Sequence, residues 1–221
     1  MKRLAGLAVL AIASIALVAT LATSAPQPSV VPTAWQLEIQ FQDPTPIRVE
    51  VPGQRGAQTF WYMLYTVTNK SGQDQTFVPS FTIYTDSSQV IRAGEKVSPA
   101  VFRAIQIRHN NPLLKDVSEI TGKLLQGEDN AKDCVAIFQN IDGKARSFDV
   151  FIGGLSGEAK SVKLPVKVAV DQTDLEGNVK KVMTDTILLH KTLQVSYKLP
   201  GEAGARFSAV PQRTAEKWVM R

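Results

Sequence analysis

Thr59 to Thr68, TFWYMLYTVT, decides the fold. The run is aromatic, aliphatic or β-branched on both faces, which is what a strand buried in the middle of a sheet requires. Asn69-Lys70-Ser71-Gly72 ends it in a polar turn. Beyond the turn, Thr76–Thr85 resumes a strand pattern with Phe77, Phe81 and Ile83. Upstream, Trp35, Leu37, Ile39 and Phe41 alternate with Gln36, Glu38 and Gln40, a half-buried strand with one wet face. Ile47, Val49 and Val51 repeat that alternation before the Pro52-Gly53 turn.

Downstream, Ile120–Leu125, Cys134–Phe138 and Ser147–Ile152 read as strands. Val162, Leu164, Val166, Val168 and Val170 alternate with Lys163, Pro165 and Lys167. Proline cannot donate to a ladder and lysine discourages pairing with other chains, so this strand belongs at a sheet edge. Asp171–Asn178 is a polar turn into Lys181–Leu189, its hairpin partner. Leu193–Leu199 follows as a separate strand and Trp218–Met220 as a last one. One segment departs from the pattern. Ser98 is an N-cap, Pro99 fits the first helical position, Val101 and Ile105 share a face, and Asn110-Asn111-Pro112 stops the run. The expectation is an all-β fold, an antiparallel sandwich with one short helix in a connection. It occupies residues 34–221 as one domain, with a division into two small β-domains near residue 160 as the alternative.

The chain begins with a basic Met1-Lys2-Arg3, an uncharged run from Leu4 to Ala22, and the small residues Ala22-Thr23-Ser24-Ala25. That is the layout of a signal peptide over residues 1–24, cleaved after Ser24, because a cut after Ala25 would leave Pro26 at the new terminus. Uncleaved, residues 4–22 would instead form an anchor helix, the chain's membrane contact. Either reading places the body outside the cytoplasm, periplasmic or secreted. Residues 25–33 (APQPSVVPT) form a Pro-rich lead-in.

The chain of 221 residues carries 44% apolar and 20% charged residues, an ordinary globular balance. Outside residues 1–24, 23 basic residues face 20 acidic ones, too slight a surplus for a nucleic-acid surface. The single Cys134 excludes an internal disulfide and a multi-cysteine zinc site, and its apolar surroundings make it a core residue. Gly154-Leu155-Ser156-Gly157 lacks the second glycine of a nucleophile elbow, Glu158 standing in its place. Gly122 and Gly127 have phosphate-loop spacing, but Glu128-Asp129 would repel phosphate. Asn69-Lys70-Ser71 fits a glycosylation acceptor or, more simply, a polar turn. His109 falls at the helix end and His190 within a strand; with a carboxylate they could form a dispersed site. Asp171, Asp174 and Glu176 could draw calcium to one loop, although the EF-hand spacing fails and a hairpin loop needs the same residues. The aromatics Trp61, Tyr62, Tyr65, Phe77 and Phe81 read as core, and an exposed one among them would hint at binding.

Tyr62–Gly72 (YMLYTVTNKSG) is similar to the strand and Asn-x-Ser-Gly turn of exported immunoglobulin-like domains. Ile120–Phe138 with Val150–Ser156 (VFIGGLS) resembles their Gly-Glu turn and Val-x-x-Phe strand. From Trp35 to Arg221 the chain looks like uncharacterised exported bacterial proteins of planctomycete type. The resemblance implies an immunoglobulin-like sandwich and carries no catalytic, cofactor-binding or metal residues. The functional expectation is a non-catalytic module of the cell envelope with a protein or glycan partner; the alternative is a secreted hydrolase or metal-assisted enzyme with a site spread over loops. Mass spectrometry of the exported protein should find Ala25 at its amino terminus. An intact Met1 would make residues 4–22 an anchor.

Overall fold

A computed structural model describes residues 25–173, 179–202, 206 and 209–221. The leader or anchor helix expected over residues 1–24 lies outside them, as do Asp174 and Glu176. Among the described residues no helix is long and apolar enough to cross a membrane.

The body is mostly β, 56% strand against 8% helix, in two main sheets that form a sandwich-like arrangement. The first sheet contains β1 (Glu38–Phe41), β2 (Thr45–Glu50), β3 (Ala57–Asn69), β7 (Lys115–Asp116) and β9 (Gly127–Gln139). β3 pairs with β9 on one side, and with β2 and then β1 along the other. β7 joins β9 in parallel. The second sheet runs β11 (Ala159–Thr173), β12 (Val179–Lys198), β10 (Ser147–Gly153), β5 (Ser80–Thr85), β6 (Val90–Arg92), with β13 (Gln212–Met220) also on β12. A small ribbon of β4 (Gln75–Phe77) and β8 (Gly122–Leu124) adds Phe77 and Leu124 to the core.

The register explains why β3 is apolar on both faces. Trp61, Met63, Tyr65 and Val67 point inward, with Cys134, Ala136 and Phe138 of β9, against Phe81, Ile83, Phe148, Val150 and Leu193 of the second sheet. Phe60 and Tyr62 point outward and are covered by helix α1 (Pro99–Arg108), which contributes Val101 and Ile105 to a second, smaller core. Each fully buried side chain of this size contributes roughly 1.5–3 kcal/mol, whereas an exposed ion pair contributes about 0–1 kcal/mol. The two apolar layers therefore hold the fold, and exposed pairs such as Lys70–Glu38 trim it.

The helix expected after Ser98 is present, with the Ser98 hydroxyl accepting from Ala100 N and Pro99 in the first turn. Asn110, at φ 48°, turns the chain out of it. Other expectations need correction. A second helix, α2 (Val117–Ile120), occupies the start of the strand expected over Ile120–Leu125. Asp116 and Glu119 form a reciprocal capping box there, and the strand begins only at Gly122. The Thr76–Thr85 strand is two, because Pro79 cannot donate to a ladder: β4 pairs with β8, and β5 enters the second sheet. Lys181–Leu189 and Leu193–Leu199 are instead one strand, since no glycine or proline interrupts the chain between them. The strands on either side of residue 160 thus share one sheet.

β11 lies at the sheet edge, as its proline and lysines require, with β12 as its strand partner. No described residue from Ala159 to Asp171, or from Val179 to His190, is buried. These segments form a two-stranded arm running on from the sandwich, whose Val179–His190 limb spans roughly 40 Å at the usual rise.

At the base of the arm sits a buried ion pair, Glu158 with Lys191 at 3.4 Å, the side chains 4% and 3% exposed. Glu158 Oε1 accepts from Ser29 N at 2.8 Å, and the Lys191 ammonium donates to Ser29 O and lies 5.1 Å from the Trp218 ring centre. Lys160 Nζ also donates to Gln27 O. The Pro-rich lead-in is therefore clamped across the arm's root. The Ser29 N–H, with Lys191 assisting against desolvation, holds the Glu158 carboxyl below its ordinary 4.5. A depressed folded-state value means that the pair's contribution is whole above the unfolded carboxyl's range and fades as pH falls through the folded value. Urea midpoints of the native chain and Glu158→Gln should therefore differ most near neutrality and converge as pH falls through the carboxyl's depressed folded value. A gap that stays constant with pH would contradict the clamp.

Candidate functional site

His109, one of the two imidazoles, caps the carboxyl end of α1, its N–H donating to Ile105 O. It borders a groove of about 410 Å³ with Phe41, Leu64, Tyr65, Asp133 and Cys134. Its Nε2 lies 2.9 Å from the Tyr62 hydroxyl. Burial, helped by the Arg108 charge, holds the imidazole below its ordinary value, and burial raises the Tyr62 phenol. At neutral pH the pair is thus a neutral hydrogen bond between the Tyr62 hydroxyl and His109 Nε2, the imidazole tautomer setting which of the two donates. Such a pair can orient a ligand or move a proton.

A nucleophile is not brought to it. Cys134 belongs to the inward set of β9, on the opposite side of the sheet from Tyr62. Burial pushes its thiol up to about 12. Beside it, burial also raises the Tyr65 phenol. Asp133 is engaged by Thr66 Oγ1 at 2.8 Å and Asn111 Nδ2 at 3.3 Å. His190 lies elsewhere, on the second sheet, and borders a different groove. Neither His109 nor His190 forms an ion pair with a carboxylate among the described residues, where no group of three potential metal ligands is found.

The remaining motifs resolve locally. Ser156 is buried, donating to Trp35 O and accepting from Glu158 N, so it is a turn residue. Asn69 is fully buried; its amide donates to Gln73 O and Leu124 O while its oxygen accepts from Ser71. A glycan there would take one of the two amide N–H groups and would need room that a fully buried side chain lacks. The five aromatics read as core are each buried, Tyr62 beneath the helix.

The exposed aromatic surface is elsewhere, on the outer face of the second sheet. With Ile83, Val150 and Val195 inward, Tyr84, Asp149 and Ser196 form one outward cross-strand row. Thr82, Phe151, Gln194 and Lys217 form the next. Tyr84 and Phe151 meet edge to face at 5.5 Å. The Arg221 guanidinium lies 4.4 Å from the Tyr84 ring centre and 4.3 Å from that of Phe151, and donates to the Tyr84 hydroxyl. A groove of about 410 Å³ opens here between Ser80, Thr82, Phe151, His190, Thr192 and Arg221. Gly153 keeps its floor low, since a Cβ would strike the Ser80 hydroxyl. Sequence reasoning passed over these residues, although outward parity in Ser80–Thr85 and Ser147–Ile152 already placed Tyr84 and Phe151 on the solvent side.

Comparison with known protein families, curated proteins and solved structures finds no match to this chain. With its thiol protonated and buried, native Cys134 should resist iodoacetamide at pH 8 and take up one adduct once urea is added. Rapid labelling of the native protein, read as a mass shift, would restore a nucleophile to the first groove.

Proposed function

We propose that this is an exported, non-catalytic interaction module of the cell envelope, of immunoglobulin-like type, akin to the planctomycete-type exported proteins that its sequence resembles. The leader pattern supports export, and the two packed, largely antiparallel sheets support the sandwich class. A protein or glycan of the envelope is the partner.

The observation that carries the reading is the arm. A two-stranded ribbon in water is marginally stable on its own, and this one leaves Val166, Val179, Met183 and Leu188 between 58% and 65% exposed. Its outer edges have no strand partner among the described residues. Pro165 and the flanking lysines guard β11 against indiscriminate pairing, so the available contact is through side chains and the β12 edge. An apolar, lysine-flanked projection does little for the fold's stability and much for adhesion to a partner.

Lys163 and Thr186 are paired neighbours, so a two-residue turn can replace the arm between them. The trimmed chain should keep its melting temperature and lose at least about tenfold in affinity for isolated envelope fractions, the scale of one or two buried apolar side chains. Undiminished binding by a folded, trimmed chain would remove the arm from this role.

A further inference from the structure

The outer face of the second sheet is open, because both helices pack against the first. We infer that this face is a separate binding site for an acidic polysaccharide, with a uronate carboxylate at Arg221 and sugar rings on Tyr84 and Phe151. The arm is not needed for this inference.

Charge points to an anion. Lys217 makes no side-chain hydrogen bond or ion pair among the described residues, and Lys163, on the same outward parity of the arm's root, makes none either. The carboxylate sharing the face with them is Asp149. Arg92, at the far edge, is already neutralised by Glu95 at 3.2 Å. Arg221 is held between two rings that stand 81° apart and by the Tyr84 hydroxyl, which restrains its guanidinium while its other N–H groups remain to donate to a carboxylate.

The rest of the surface suits a sugar more than another anion. Ser80, Thr82, Gln194 and Ser196 offer hydroxyl and amide groups in cross-strand rows, matching the dense hydroxyls of a saccharide. Aromatic faces take up the apolar C–H side of a pyranose, as they do other amphipathic surfaces. Four strands at about 4.8 Å make a platform on the order of 15–20 Å wide, long enough for several rings. A nucleic acid would need many more phosphate-matching cations than this face holds. An acidic peptide would use the cations and leave the hydroxyl rows unmatched.

Affinity electrophoresis and calorimetry of the full chain should show binding to polygalacturonate and none to neutral dextran. Tyr84→Ala and Arg221→Gln should each weaken it by roughly tenfold, the loss expected of one charge-assisted contact or stacked ring. Circular dichroism would show that both variants remain folded. Four results would overturn the inference: no binding to polygalacturonate, equal binding to dextran sulfate or to polyglutamate, binding indifferent to both substitutions, or binding abolished by trimming the arm. Polygalacturonate binding that survives trimming stands even if the arm proves to have no partner, which separates the two readings.

Discussion

Burial of β3 on both faces is the constraint from which the rest of the structure follows. Its inward residues, Trp61, Met63, Tyr65 and Val67, are at most 3% exposed and meet the second sheet. Its outward residues Phe60 and Tyr62 would be left in water by a bare two-sheet sandwich, and α1 exists to cover them. One consequence is asymmetry. The first sheet is covered on both sides, and the second keeps its outer face open. The covered side is where His109 and Tyr62 meet, and the open side is where Tyr84, Phe151 and Arg221 stand.

β12 carries this asymmetry into the arm. From Lys191 to Lys198 it lies between β10 and β13 with Leu193, Val195 and Tyr197 in the core; from Val179 to Leu189 it has β11 alone, and at His190 it also exchanges backbone hydrogen bonds with Arg221. The change occurs at Lys191, whose ammonium is buried against Glu158. An unpaired charge in that position would be costly, so the Glu158 carboxylate and the Ser29 backbone must be present together. A second clasp ties the sheets at the other end of β12. Tyr197 and Arg213 both donate to Asp43 Oδ1, at 3.0 and 2.9 Å, and the Arg213 guanidinium lies over Phe41. Polar side chains thus set the path of β12 at both ends of its buried stretch, while apolar packing supplies the stability between.

Much of this was legible locally. Alternation identified β1, β2, β10 and β11, and Ser98-Pro99 marked α1 to within a residue, because each signal arises from neighbours along the chain. The capping box at Asp116 and Glu119 was equally local, and its four-residue helix was hidden only by the apolar residues that follow. The division at Pro79 and the fusion of Lys181–Leu189 with Leu193–Leu199 were harder. Both depend on which sheet the chain joins next, a matter of distant partners. The candidate surfaces were less legible still. Phe151 and Arg221 lie seventy positions apart and touch only because β10 and β13 both flank β12.

The amino-acid sequence by itself determined the period of each segment, hence the all-β class, the helix after Ser98, and the burial of Cys134 and the core aromatics. Those properties follow from side-chain volume and hydration, which a residue carries wherever it lies. Tertiary structure alone decided that Tyr62 meets His109, that Glu158 and Lys191 close on Ser29, and that an arginine settles on two rings at an open sheet face. These are contacts between residues far apart in the chain, and their existence rests on strand order, which no local pattern encodes.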